Sequence, residues 1–467
     1  MSFTIEEICT ATGGELIGGY DRATPVKGVS TDTRTIEKGQ LFIPLIGENF
    51  DGHKFIQDAA LKGAGAVITQ YPDVDVPREI PVILVKDTLN ALQDIAAFHR
   101  KRFDIPIVAV TGSTGKTTTK DMIYYVLSQR YKVLRTEGNL NNEIGLPHTL
   151  LRLNHSHEIA VVEMGMSGFG EIHRLAEIAR PNLGIITNIG LSHIEKLGSR
   201  ENILKAKMEL FDFFTPECTA ILNGDDELLR GIGDKLPFTV EYFGTDEHVN
   251  YRASRINISE DEKITYEVNI KDKSYSIDIN VPGRHNIYNS LAAIAVGMHF
   301  GLRIDEIQKG LKHFKPGAMR LNIINTRNNI KIIDDAYNAS PDSMIASIAI
   351  LSQSKGNRKI AILGDMLELG HYSEKAHRDV GTAVVEHGID ILITRGKDSR
   401  WIGEQARKLG MDAKNIYNCA DNRDVINLLD TMVKEGDTIL VKGSRGMRME
   451  EIVSHLVDRE FCQDSLQ

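Results

Sequence analysis

Cysteine is scarce in this chain: Cys9, Cys218, Cys419 and Cys462 are the only four in 467 residues, and no two form a C-x-x-C pair. That excludes a disulfide framework and a zinc-ribbon site, and fits free thiols in a reducing compartment. Long apolar runs are missing as well. Ile80–Val85 and Ile105–Val110 are strand-sized, far below the ~18 residues a membrane span needs. The start, Met1-Ser2-Phe3-Thr4-Ile5-Glu6-Glu7, has neither a basic region nor an apolar core, so no signal peptide is expected and the location expected is cytoplasmic. A basic excess is absent too. With Lys+Arg 55 against Asp+Glu 64 the net charge is −9, which argues against a protein whose main task is gripping nucleic acid. An anionic ligand must then be held by local basic or amide-rich sites.

What remains is ordinary globular composition, 42% apolar and 25% charged with 40 Gly and 13 Pro, in a chain long enough for about three domains. The first stretch reads as a compact α/β unit with strands at 41–45, 66–69 and 82–85. Helices are expected over 55–63 and 88–102, and a Pro-rich loop over 71–77. Phe103-Asp104-Ile105-Pro106 ends it, because the residue before proline is pushed out of the helical region. From Ile107 a strand–loop–helix pattern repeats, with strands at 107–110, 159–163, 183–187 and 220–222 and a helix over 200–213. This alternation predicts a parallel sheet covered on both faces. Between Tyr251 and Val281 charged and apolar residues alternate, the mark of antiparallel, half-exposed edge strands. Helices follow over 287–300 and 304–314, then Lys315-Pro316-Gly317 marks a second boundary. Strands at 330–334, 360–363, 389–394 and 438–441 then form a third, open parallel sheet of Rossmann-like type. The expected domains are 1–104, 105–314 and 315–467, all α/β, the central one a P-loop parallel sheet with antiparallel edge strands.

Val108-Ala109-Val110-Thr111-Gly112-Ser113-Thr114-Gly115-Lys116-Thr117-Thr118 carries the most chemistry. An apolar strand runs into a glycine loop and then a helix start, so backbone N–H groups and the helix N-terminus can face phosphate oxygens. Lys116 can reach the β/γ-phosphates and the Thr117 hydroxyl can bind Mg²⁺. The general pattern wants glycine where Val110 stands, so the loop is shorter at its front. No N-K-x-D string follows a later strand, which favours ATP over GTP. Glu163 and His193 lie beyond the carboxyl ends of strands, where open α/β sheets bind ligands. His155 and His157 read as an exposed loop, and Asp225-Asp226-Glu227 as an acidic helix start.

The short loop, Asn139-Leu140-Asn141-Asn142-Glu143-Ile144-Gly145, Glu163-Met164-Gly165, Asn188 with His193, Ala206-Lys207-Met208-Glu209 and Gly283-Arg284-His285-Asn286 together resemble the Mur ligase family. Folylpolyglutamate synthases share the loop, but the remaining strings fit them less well. Asp334-Asp335-Ala336-Tyr337-Asn338-Ala339-Ser340-Pro341, Leu363-Gly364-Asp365-Met366-Leu367-Glu368 and Val441-Lys442-Gly443-Ser444-Arg445 point within the family to addition of D-alanyl-D-alanine to UDP-N-acetylmuramoyl-tripeptide. The resemblance implies a cytoplasmic, ATP- and Mg²⁺-dependent ligase of peptidoglycan precursor synthesis working through an acyl phosphate, and a monomer is expected. It implies that Gly112, Ser113, Thr114, Gly115, Lys116, Thr117, Thr118, Asn286, Arg320 and Asp335 contact ATP. Thr117, Glu163, His193 and Lys207 would serve the metal, Lys207 as a carbamate, with Lys116, Lys207 and His193 catalytic. Ser30, Asp32, Arg34 and His53 would lie near the UDP-substrate, and Asn338, Ser340, Asp365 and Glu368 near the acceptor. Another ligase of this type, or a P-loop switch using nucleotide only to change shape, stays open at this point.

Overall fold

The computed structural model describes residues 2–463 apart from 75, 78, 260–262, 272 and 327. Asp75 of the Pro-rich loop and the side chain of Cys462 therefore lie outside the described residues. By internal contacts the chain forms two units: 1–109 with 131–184 and 209–218, and 110–130 with 185–208 and 219–467. The strands Ile107–Thr111 and Leu183–Ile186 start in the first and end in the second.

The first unit holds a five-stranded sheet in the order Glu15–Ile17, Val82–Leu84, Ala66–Thr69, Leu41–Phe42, Val29–Ser30. Its outer pair Glu15–Ile17/Val82–Leu84 is antiparallel and the others are parallel. Phe42, Ile56, Ala59 and Val67 make its core. The strand expected over 41–45 stops at Phe42 and the helix over 55–63 is split. Asp51 accepts the His53 amide and starts a 3₁₀ turn over Gly52–Phe55, and the α-helix runs only from Ile56 to Leu61. Asp87 caps the helix Thr88–Arg100 by accepting the Asn90 amide, as its position before the apolar-periodic stretch implies. The same unit carries the parallel pair Val133–Arg135/Ile159–Glu163.

In the second unit the strands Thr219–Asn223, Thr239–Gly244 and Tyr251–Ile258 run parallel. Ile264–Ile270 and Lys273–Ile279 then close that edge antiparallel, with alternate residues of Ile264–Ile270 buried. The half-exposed edge strands read from sequence are these. A second sheet follows in the order Asn322–Asn325, Lys331–Asp334, Asp437–Lys442, Arg358–Gly364, Ile391–Arg395, Ile416–Cys419. It is parallel except for its first strand. Ile332, Ile360, Ile362, Ile393, Ile439 and Val441 pack its face against Val425, Leu429, Met449 and Ile452. The helix expected over 200–213 ends at Met208 and continues as a 3₁₀ turn to Phe211. Among the described residues no helix is long and apolar enough to cross a membrane.

The helix Ile304–His313 lies against Lys116–Leu127 so closely that a Cβ on Gly310 would stand 2.5 Å from Val126 Cα and 2.7 Å from the Tyr125 carbonyl. Backbone cannot swing away as a side chain can. Gly310→Ala is expected to lower stability by about 1–3 kcal/mol, read as an earlier urea midpoint at unchanged slope.

Candidate active site

The phosphate loop is tied down before any ligand is considered. Asn188 presents its carbonyl to the Ser113 amide at 3.0 Å and its Oδ1 to the Thr114 amide at 2.9 Å. It also donates from Nδ2 to Thr114 Oγ1 at 2.7 Å. Thr187 donates its hydroxyl to the Thr114 carbonyl at 2.6 Å, and the Gly190 amide donates to Ser113 Oγ at 2.8 Å. Two glycines make the approach possible. At Gly112 (φ 150°) a Cβ would fall 1.8 Å from Thr187 Oγ1, and at Gly115 (φ 78°) 2.6 Å from Asn289 Oδ1. Gly115 sits at the N-cap of the helix Lys116–Leu127, where amides without intrahelical partners suit anions. Lys116 donates to the carbonyls of Gly112 at 2.8 Å and Ser113 at 3.4 Å, which holds its ammonium over the loop.

Beside the loop opens a cavity of about 620 Å³, whose walls include Thr114, Gly115, Thr118, Asn286, Arg320 and Asp335. All six were expected at the nucleotide from sequence. The helix expected over 287–300 starts at His285 with Arg284 as its N-cap, so Asn286 does not cap it. Asn286 instead donates to the Pro282 carbonyl at 2.6 Å and accepts from Asn289 at 2.9 Å. The Arg320 guanidinium stacks 4.0 Å from the Tyr337 ring centroid. His285, also in the wall, has its imidazole pushed down to about 4, chiefly by burial.

Among the wall residues that escaped the sequence reading as site members are Asn188, Tyr288, Asp225 and Asp226. Asn188 entered it only as part of a family string. Tyr288 donates its hydroxyl to Asp225 Oδ2 at 2.8 Å, and that carboxylate also takes the Thr245 amide and hydroxyl. Asp226 is the expected cap of the helix Glu227–Arg230, yet its other oxygen accepts the Ile189 amide at 2.7 Å. A signal existed, since Asn and Asp directly after strands are capable of such bonds, but their partners lie far away in sequence.

Lys207 is 1% exposed. Burial, with a smaller contribution from Lys116, holds its pKa well below the ordinary lysine value. His193 takes a left-handed conformation (φ 64°), and its Nδ1 bonds the carboxylate of Glu368, itself left-handed at φ 62°. Structure thus joins a residue expected at the metal to one expected at the acceptor. Among the other acceptor candidates, Ser340 caps Pro341–Gln353. Asp365 spends its oxygens on the amides of Lys397, Asp398 and Ser399. Asn338 accepts the Arg445 amide on Oδ1 at 3.4 Å. In the first unit Glu163 is 1% exposed and accepts from Asn141 at 2.7 Å on Oε1, while Oε2 is buried without a partner.

Family models match three stretches of this chain: the Mur ligase middle domain at 110–297, the Mur ligase glutamate ligase domain at 319–445, and the Mur ligase family catalytic domain at 25–100. The chain is similar to UDP-N-acetylmuramoyl-tripeptide–D-alanyl-D-alanine ligase of Bacillus subtilis (strain 168), 41% identical over 97% of this chain and 98% of that one. The enzyme of that name from Escherichia coli (strain K12) is 36% identical over 99% and 100%. The chain belongs to the Mur ligase family. Among solved structures, MurF from Acinetobacter baumannii matches with TM-score 0.90 at 31% identity over 98% of this chain and 99% of that one. MurF from Thermotoga maritima in complex with ADP matches with TM-score 0.83 at 28% identity over 94% and 99%.

In this Mur ligase the residues expected near the UDP-substrate fall into two local networks. Ser30 Oγ donates to the Asp32 carbonyl, and Asp32 grips Arg34 through both carboxylate oxygens, so the guanidinium brings its carboxyl down to about 2. His53 faces Asp51 at 2.7 Å through Nδ1 and accepts the Gln70 amide on Nε2, with the Tyr71 ring 4.4 Å away. His148, which meets Thr31 at 3.1 Å, was not anticipated.

Asn188→Ala removes two bonds to Thr114, each worth about 1 kcal/mol. The expected result is a nucleotide Kd raised by about tenfold, measured by titration calorimetry, with a thermal midpoint lowered by a few degrees.

Proposed function

We propose that this Mur ligase joins D-alanyl-D-alanine to UDP-N-acetylmuramoyl-tripeptide at the cost of one ATP, releasing ADP and phosphate. The observation that carries the reading is near-full-length likeness to relatives bearing that name, 41% and 36% identical. The ADP complex of the Thermotoga maritima neighbour supports adenine nucleotide use. On this reading 1–104 takes the UDP-substrate, 105–314 ATP and 315–467 the acceptor, and the three stretches the family models match fall one in each.

A carboxylate is a poor electrophile, so its oxygen first attacks the γ-phosphorus, the bond to the β,γ-bridging oxygen breaks, and ADP departs. The dipeptide amine then adds to the acyl carbon and loses a proton. The tetrahedral intermediate collapses by breaking the carbon–oxygen bond to phosphate. Both reactants of the first step are anions. Lys116, the amides of Gly112 to Thr118 and the Arg320 guanidinium offset their repulsion as preorganised groups rather than by covalent catalysis. His285, neutral at working pH, adds no charge to the wall.

In the unit that carries the phosphate loop, His193 and Thr117 suit a hard cation. His193 commits Nδ1 to Glu368, the carboxylate–histidine pattern that orients a metal ligand and leaves Nε2 for the ion. Glu368 on this reading orients His193 rather than touching the dipeptide. Thr117 offers a hydroxyl. Bound Mg²⁺ would neutralise and orient the β/γ-phosphates.

The deciding assay supplies UDP-N-acetylmuramoyl-tripeptide, D-alanyl-D-alanine and Mg-ATP and follows product by mass spectrometry. Amide product with stoichiometric ADP and phosphate is expected. AMP and pyrophosphate would remove the acyl phosphate, and release stimulated only by a different amine would move the enzyme to another branch of the family.

Lys207 is proposed to carry a carbamate. Its lowered pKa favours the neutral amine, the form that attacks CO₂: the nitrogen–carbon bond forms, one proton leaves to water, and the neutral amine becomes an anion. With ¹³C-bicarbonate a carbamate carbonyl signal is expected in the wild type and none in Lys207→Arg. Ligation should fall by a factor of about 10² or more in that variant. Full activity in Lys207→Arg sinks the carbamate.

A further inference from the structure

The string Lys442-Gly443-Ser444-Arg445 served above only to place the chain in its family, yet it bonds residues expected at the nucleotide and residues expected at the acceptor. Lys442 ends the strand Asp437–Lys442, which lies between Lys331–Asp334 and Arg358–Gly364. Its side chain is 3% exposed. The ammonium bonds Asp335 Oδ2 on one side and donates to the Asn338 carbonyl at 3.0 Å on the other. Asp335 is a wall of the nucleotide cavity, where it also accepts the Ser347 hydroxyl at 2.7 Å and the Leu321 amide at 3.2 Å. Asn338 belongs to the stretch given to the acceptor.

Ser444 continues the link. Its hydroxyl accepts the Leu367 amide at 2.9 Å and donates to the Ala339 carbonyl at 3.4 Å, while its own amide donates to the Asp365 carbonyl at 3.1 Å. The turn between them has no slack: a Cβ on Gly443 would meet Met449 Cγ at 2.7 Å and Gly364 Cα at 3.2 Å.

We propose that Lys442 is a positioning residue that couples nucleotide binding at Asp335 to acceptor binding at Asn338–Ser340 and Asp365–Leu367. A buried ammonium is costly unless its donors are satisfied, and its bonds to charged groups are the strong ones. Lys442 shares its donors between a carboxylate that lines the nucleotide cavity and a main-chain carbonyl on the acceptor side. A nucleotide that orders Asp335 thereby orders the ammonium and the carbonyl it holds, and the dipeptide meets a surface already set. The coupling is reciprocal, as any binding linkage must be. This inference rests on the function proposed above.

The test uses the full chain with saturating UDP-N-acetylmuramoyl-tripeptide. Calorimetry gives the Kd of D-alanyl-D-alanine with and without the β,γ-imido analogue of ATP, and the Kd of the analogue with and without dipeptide. In the wild type each ligand is expected to tighten the other by the same factor, about fivefold or more. Lys442→Met should bring that factor to about one, and Lys442→Arg should retain part of it. A merely structural lysine would weaken both ligands and leave the factor unchanged, and that result overturns the proposal, as does a wild-type factor of one. Should Lys442→Met fail to fold, Ser444→Ala decides: as a member of the same link it should lower the coupling factor toward one, and a factor equal to the wild type's refutes the link. A wild type that forms no amide sinks the proposed function instead, whereas ligation without coupling sinks only this inference.

Discussion

Everything in the nucleotide site depends on how closely two pieces of backbone approach at Gly112. The strand Ile107–Thr111 delivers the chain to a point where even a methyl group would overlap the Thr187 hydroxyl at 1.8 Å. That contact brings Thr187 and Asn188 within reach of the loop, and their hydrogen bonds then hold Ser113 and Thr114 in place. Ordered amides bind phosphate well because no reorganisation is needed when charge arrives. Gly115 repeats the device on the other side against Asn289, which also takes the Thr119 hydroxyl and a bond to Asn286. The loop is thus clamped between one strand end and one helix, and both contribute residues to the cavity wall.

How much of this could be read from sequence follows from the range of each signal. The phosphate loop, the parallel strands from Ile107 onward and the antiparallel edge are local patterns of two to a dozen residues, and they appear in the structure within a residue or two of where periodicity puts them. Short strands such as Val29–Ser30 and Ile46–Gly47 have no period to detect. Helix ends went wrong where a side chain overrode the pattern. Asp51 accepting the His53 amide turns the expected start at Phe55 into a 3₁₀ turn. Within the site, residues named by the resemblance were found in the cavity wall, as with Asn286, Arg320 and Asp335. Residues whose role is to hold another residue were not found, because Asn188 and Lys442 have meaning only through partners 74 and 107 positions away. Distance in sequence, rather than weakness of the bond, hid them.

The charge balance of the cavity shows the same logic. A chain of net charge −9 is to hold a polyanion, and four aspartates, Asp225, Asp226, Asp335 and Asp342, line the cavity beside only two arginines, Arg200 and Arg320. Counted as bare charges, that wall repels ATP. Three of the four are spoken for. Asp225 accepts from Thr245, Asp246 and Tyr288, Asp226 caps a helix and takes the Ile189 amide, and Asp335 is paired with Lys442 and bonded by Ser347. A carboxylate whose lone pairs face donors projects little field into the cavity, so the ammonium of Lys116 and the loop amides dominate what a phosphate meets. The fourth, Asp342, has its carboxyl raised by burial, with Arg200 opposing and Asp226 adding to the shift. A raised carboxyl is more readily neutral, which again reduces repulsion. Composition counts charges without their partners, so it misstates the sign of the local field. In this protein the acidic residues build the wall, and the donors they recruit are what let the wall accept an anion.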